Sequence, residues 1–312
     1  MNDKKYSVGI SLLCDEEYYE NIFSKYNSKI DYVYFSPNLG TKFQSRLIIQ
    51  KCFEYGFEKR LINILNIAKK YNIKIELAIN SDKKLNKKDV ELAYLWCLNN
   101  NVMPNSIVTF NELIHYTKLL FGDSVHYICS YNENLRKYED LYNVSELFDE
   151  VVLGNNFIRD TTAFSILKER GFKIRVLLNN GCSHNCLWCS TGGSIHCDTV
   201  FENNLKKHSI EELIAIQSVF PYEIKEFYEK TGLVDSYKIS NRSVHKEFFD
   251  NILKVYFDNN FDLNSVNDIY STFILFNIST YFKKNFSNID INKIIYIKNT
   301  LIKEELKKIE VE

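Results

Sequence analysis

The chain has 312 residues, with 39 lysines and arginines against 40 aspartates and glutamates, and 45% of its residues are hydrophobic. A formal net charge of -1 supplies no long-range attraction for phosphate backbones, so nucleic acid is not indicated by charge and remains open only as a substrate to be modified. The apolar fraction excludes a disordered chain, and the length fits either two domains or one α/β barrel with an appendage.

Met1 to Lys5 is polar and charged, and the run that follows is too short for a signal-peptide core and lacks a small-residue cleavage site. The longest apolar stretches, such as Phe273 to Phe276, fall far below the ~20 residues of a membrane helix. A cytoplasmic protein with no membrane partner is expected, in which eight cysteines serve as thiols or metal ligands rather than disulfides.

In chain order, β-branched or aromatic runs stand at Tyr6 to Leu13, Tyr32 to Ser36, Ile73 to Ala78, Ser106 to Phe110, Val125 to Cys129, Glu150 to Leu153 and Lys173 to Leu178. Between them lie amphipathic segments at Glu16 to Tyr26, Ser45 to Tyr71, Lys88 to Asn99, Asn111 to Phe121, Leu135 to Leu147 and Thr162 to Arg170. Gly171 fits a helix C-cap just before the seventh run. An eighth run, Ser236 to Ser240, follows a longer excursion and leads into the helical pattern Val244 to Phe257. Eight such units predict an α/β fold: a TIM-type (β/α)8 barrel over residues 1–259, its functional groups on loops at the C-terminal ends of the strands. Residues 260–312 read as a C-terminal helical extension with helices at Val266 to Phe282 and Asn292 to Glu310. These either cover the outside of the barrel or mediate association with a protein partner or a second copy.

The informative segment follows the seventh run: Asn179-Asn180-Gly181-Cys182-Ser183-His184-Asn185-Cys186-Leu187-Trp188-Cys189-Ser190-Thr191-Gly192-Gly193-Ser194-Ile195-His196-Cys197. Four thiolates this close together can surround a metal or cluster, because short connections let each sulfur turn inward. A 4Fe-4S cluster on Cys182, Cys186, Cys189 and Cys197 is the favoured reading. Structural zinc, with His184 or His196 replacing a thiolate, is the second, and free thiols in a tight loop the third. Cys14 and Cys129, at the ends of the first and fifth runs, are alternative fourth ligands, whereas Cys52 and Cys97 lie on helical patterns that suit packing. Cys-x3-Cys-x2-Cys is also the spacing of radical S-adenosylmethionine enzymes, but those carry it after the first strand. Here 123 residues follow Cys189, short of the ~180 that six further units need.

With this order in place, the chain resembles the collagenase-like peptidase family (unassigned-type peptidase family 32) and its TIM-barrel iron-sulfur branch. Ile174 to Cys182 with Cys186 is similar to the family's strand, Asn, Gly, Cys and second Cys. Pro221 to Tyr228, then Tyr237-Lys238-Ile239-Ser240-Asn241-Arg242 and a helix ending in Val255-Tyr256, is similar to its Lys-Ile-x-Gly-Arg strand and following helix. The resemblance implies either peptidase activity or a 4Fe-4S cluster that supports oxygen-independent hydroxylation, with prephenate as oxygen donor. Asn241 stands where the family has Gly, and the cysteines are more compact than in the hydroxylating members.

Cations near the strand ends suit a small dianion such as prephenate, because a guanidinium grips a carboxylate with two parallel hydrogen bonds. Arg242 and Lys238 are the leading candidates, with Arg46 and Arg159 behind them and an interlayer ion pair as the alternative for each. Asn179 and Asn180 are candidate substrate amides, and with Asn38, Asn80, Asn155 and Asn156 they are equally turn residues. Hydrolase equipment is sparse: there is no Gly-x-Ser-x-Gly elbow, no His-Glu-x-x-His motif and no phosphate loop. A dyad of Cys189 and His196 is conceivable, but an iron-bound thiolate is no nucleophile. The expectation is therefore a redox or hydroxylation-type enzyme, with a radical S-adenosylmethionine enzyme and a zinc-stabilised binding subunit as alternatives.

Overall fold

A computed structural model describes residues 5–10, 14–37, 39, 56–80, 85–133, 135–154, 157–179, 203–239, 246–262, 264–265, 269 and 288–310. Eight strands, β1 (Tyr6–Gly9), β2 (Ile30–Phe35), β3 (Lys74–Ala78), β4 (Ser106–Thr109), β5 (His126–Cys129), β6 (Glu150–Leu153), β7 (Lys173–Leu177) and β8 (Ser236–Ile239), pair in parallel in sequence order. Pairing of Tyr6, Ser7 and Val8 with Tyr237, Lys238 and Ile239 closes the barrel. Closure leaves no sheet edge unpaired, and the expected (β/α)8 fold is the observed one.

The strands are joined by α1 (Glu16–Tyr26), α2 (Phe57–Lys70), α3 (Lys87–Asn99), α4 (Ile114–Phe121), α5 (Tyr138–Tyr142), α6 (Thr161–Glu169) and, between β7 and β8, α7 (Ile210–Gln217). After α7, a single turn at Pro221–Glu223 runs into π-helical Ile224–Glu229. Beyond β8 come α8 (Lys246–Phe257) and α9 (Ile291–Glu310). Local chemistry sets several boundaries. Asp15, Asn86, Asp160 and Ser209 each accept a backbone N–H of the first turn they precede, filling donors that the helix itself leaves open. Gly171 closes α6 at φ 84°, a left-handed angle that glycine adopts without strain.

Strand side chains alternate between two environments. Ile107, Tyr127, Val151, Ile174 and Val176 face outward into the large core between sheet and helices. Their neighbours Val108, Ile128, Val152 and Leu177 form a separate apolar cluster in the lumen. Fully burying one such side chain contributes about 1.5–3 kcal/mol. Two residues nearer the strand N-termini the lumen becomes charged, with Glu76, Glu150 and Arg175 all buried. Two residues beyond the apolar layer stand Asn80, Ser130 and Asn179, also buried. The lumen is thus layered, from charged at the N-terminal end to apolar to neutral polar at the C-terminal mouth.

The proposed residue 45–55 start of the second helix lies outside the described residues, and its described part begins at Phe57. Most of the expected 266–282 helix also lies outside them. The final helix forms as expected, over Ile291–Glu310, and packs on α7 and α6. Among the described residues, no helix is long and apolar enough to cross a membrane.

Candidate functional site at the barrel mouth

The hydrogen-bond ladder extends past the strand ends and sets the mouth residues in place. Ile79 N donates to Val108 O at 2.8 Å, Ser130 N to Thr109 O at 2.9 Å, and Leu178 N to Lys238 O at 3.0 Å. These bonds hold Asn80, Ser130 and Asn179 at the ends of β3, β5 and β7. Asn80 Nδ2 donates to Ser130 Oγ at 2.9 Å, and Asn132 N donates to the same oxygen at 3.1 Å. Beside them Ser36 Oγ donates to Ala78 O at 3.2 Å. The chemistry here is neutral donors and acceptors, suited to orienting a polar ligand without fixing its charge.

Lys238 brings the cation. It is buried on the lumen face of β8, between the outward-facing Tyr237 and Ile239, and its ammonium lies 4.1 Å from the centre of the Tyr34 ring. Glu76 Oε1 stands 3.4 Å from that ammonium. Below it, Arg175 bridges two carboxylates. Its Nη1 donates to Glu76 Oε2, while Nε and Nη2 reach the two oxygens of Glu150 at 3.1 and 2.9 Å. His126 Nε2 contacts Glu150 at 3.0 Å, and Ser236 Oγ donates to it. Burial pushes the Glu76 and Glu150 carboxyls up, but Arg175 outweighs it in both, helped by Lys238 at Glu76 and by His126 and Ser236 at Glu150. Both stay well ionised, and burial does not strip Arg175 of its proton because the same two carboxylates hold it.

Of the sequence-derived candidates, Lys238 and Asn179 stand in the lumen and at its mouth. Cys182, Cys186, Cys189, Cys197, Asn180, Arg46 and Arg242 lie outside the described residues, as do Asn38, Asn155, Asn156 and Cys52. Arg159 is placed elsewhere. Its Nε donates to Glu223 Oε1 at 2.6 Å and its Nη1 to Ile216 O at 3.1 Å, so it forms the interlayer pair rather than facing the mouth. Cys129 turns outward into the helix layer, because its lumen-facing neighbour is Ile128, and Cys14 is packed in that same outer core. Burial pushes the Cys129 thiol well above its ordinary value and the Cys97 thiol up to about 12. Neither is a ready thiolate in this packing. No group of three or more potential metal ligands occurs among the described residues.

Sequence reasoning missed Glu76, Glu150, Arg175 and Ser130. The signal was present in Lys-Ile-Glu-Leu-Ala, Glu-Val-Val-Leu and Lys-Ile-Arg-Val-Leu. A charge at an alternate position of a strand that is buried on both faces has only the lumen to enter.

No family model matches the chain, and no curated protein matches it. Among solved structures, the U32 peptidase Mk0906 is similar over 79% of this chain and 95% of that one, at 11% identity and a TM-score of 0.50. An uncharacterized B. cereus protein matches over 83% and 65% of the two chains, at 12% identity and a TM-score of 0.41. A HpcH/Hpal aldolase/citrate lyase family protein from Burkholderia cenocepacia J2315 matches over 78% and 89%, at 7% identity and a TM-score of 0.40. At this identity the first likeness shows a shared barrel fold.

Proposed function

We propose that this barrel is an iron-sulfur enzyme related to the collagenase-like peptidase family, acting on a small anionic substrate or oxygen donor at its C-terminal mouth. The observation that carries the reading is the course of β7, which leads into the buried Leu178 and Asn179 at that mouth, Asn179 standing three residues before Cys182 in the chain. The donor chemistry fits a cluster. Four cysteines lie within sixteen positions, and two of the cysteines elsewhere, Cys97 and Cys129, keep their protons in apolar surroundings.

When bound to Cys182, Cys186, Cys189 and Cys197, a 4Fe-4S cluster supplies a Lewis acid or a one-electron relay. The chain's own groups do the rest. The amides of Asn80 and Asn179 and the hydroxyl of Ser130 orient the ligand, the lumen charge of Lys238 answers its carboxylate, and the Val108, Ile128, Val152 and Leu177 layer beneath excludes water. Arg242, four residues past Lys238 in sequence, is proposed as a second anion contact. Among the described residues β8 is the one strand that follows the cysteines, which argues against the radical S-adenosylmethionine arrangement. Peptidase chemistry has little support: Ser130 Oγ accepts from Asn80 and Asn132, and neither is a base.

Anaerobic purification followed by iron, sulfide and zinc analysis tests the proposal. About four irons and four sulfides per chain are expected. Stoichiometric zinc without iron would overturn it in favour of a zinc-stabilised binding subunit. Cys186→Ser should abolish the visible absorption, and an unchanged spectrum would remove that residue from the ligand set.

A further inference from the structure

Helix α3 is apolar on two faces, and the barrel covers one of them. Val90, Ala93, Trp96 and Cys97 are buried on the inner side. On the outer side Leu92, Leu95 and Leu98 are 39–50% exposed, with Met103 just past the helix and Leu119 on the adjoining α4. Among the described residues, five of the nine large apolar or aromatic side chains that stand exposed fall in this one region. A helix with apolar residues on opposite sides calls for a second surface to pack on. The region is also a firm platform. Asn86 and Asp89 close a capping box at the start of α3, Tyr116 of α4 donates to Glu91, and the Tyr94 and Phe121 rings meet edge to face with 5.0 Å between centres.

The order of residues along the outer seam matches itself in reverse. Lys88, Leu92, Leu95 and Asn99 are all exposed and follow one another at spacings of four, three and four, which keeps them on one stripe of the helix. A two-fold axis between Leu92 and Leu95 sets each of these leucines against the other in a second copy, and in the same register sets Lys88 against Asn99. The charges agree with this direction. Lys87 and Lys88 stand in the first turn of α3, at the positive end of their own helix dipole, while the last turn holds no basic residue. Lys87 turns to the Tyr116 ring of α4, 5.4 Å away, which leaves Lys88 on the seam. An antiparallel copy brings Lys88 to the uncompensated negative end of the other helix, once in each direction, whereas a parallel copy would set lysine beside lysine.

We propose that α3 is a homodimer interface, formed by antiparallel pairing with α3 of a second copy about a two-fold axis. One helix pair with its flanking leucines makes a small interface, so the dimer is reversible and concentration-dependent rather than required for folding. Because α3 runs along the outside of the barrel, the pairing turns the two mouths in opposite directions.

Sedimentation of the full chain between about 1 and about 100 µM tests this. The wild type should pass from monomer to dimer over that range. Leu95→Glu, at an exposed helix position, should keep its circular dichroism and stay monomeric throughout. Lys88→Glu should weaken the dimer by about tenfold across its two equivalent contacts while raising the thermal midpoint of the monomer, because a carboxylate suits that end of its own helix. Adding Asn99→Lys to Lys88→Glu should bring the affinity back, since the reversed charges again meet across the axis. If Leu95→Glu does not fold, the charge-reversed pair decides alone. A wild type still monomeric at about 100 µM, a dimer that Leu95→Glu leaves intact, or a double variant no tighter than Lys88→Glu would overturn the proposal.

Discussion

Glu76 and Glu150 enter the lumen from opposite sides of Arg175, and with Lys238 they make a buried group of two carboxylates and two cations. Removing such charges from water is costly, and the arrangement survives only because each carboxylate is bonded to a cation. The buried glutamates Glu76, Glu150 and Glu223 titrate below their ordinary 4.5, cations outweighing burial in each case. As pH falls the unfolded chain takes up these protons first. Their contribution to stability is therefore complete above about pH 4.5 and is lost as pH drops through the depressed values. Urea midpoints should be nearly level from pH 7 to 5 and fall steeply below 4.5; a midpoint unchanged at pH 3 would contradict this assignment. The residue type alone did not announce this role, because a glutamate in a short strand reads as solvent-facing until the sheet is known to be closed.

At the scale of single elements, most starts and stops follow from local chemistry. Gly171 has open space where a Cβ would sit, so Gly171→Ala should cost about 1 kcal/mol through its left-handed angle alone, measured by urea unfolding. A loss several times larger would mean that the αβ turn is held by contacts as well as by its angle. Two expected helices came out shorter for identifiable reasons. Asn111 is engaged with Glu133 through its N–H and with Ser145 through its side chain, so α4 begins only at Ile114. Asp140 accepts from Arg136 N and Lys137 N, which sets the start of α5, and Arg170 takes the carbonyls of Leu141 and Val144 at its end. Helix α7 was read only as part of a longer excursion, although Ser209 with Glu212 three residues on is a capping box visible in the sequence.

For the whole molecule, the lumen cluster and the outer core are separate bodies of apolar packing joined by the strands between them. A void in the lumen cannot be filled by moving a helix, because the ring of strands fixes its walls. Leu177→Ala should accordingly cost about 2–5 kcal/mol, whereas Leu119→Ala, at a side chain 76% exposed on α4, should stay within about 0.5 kcal/mol. Equal losses in a urea comparison would place Leu177 in a softer setting than a closed ring allows. The same layering gives the mouth its character, with polar amides resting on a dry floor above fixed charge.

The eight strands were legible in the linear chain because a run of β-branched and aromatic residues between helical patterns has few other uses, and Glu150–Leu153 was placed to the residue. The cysteine segment drew a metal-binding expectation for a different reason, the spacing of clustered thiols among small polar residues, and it lies outside the described residues. What only the tertiary structure decided was direction. Alternation says that Ile128 and Cys129 face opposite ways, and closure of the barrel says which of them sees the lumen. Partners distant in the chain were likewise settled by folding, as with Glu76 and Arg175, 99 residues apart, or Arg159 and Glu223, 64 apart. A charge finds its counter-charge by proximity in space, and sequence order does not encode that distance until the ring of strands has formed.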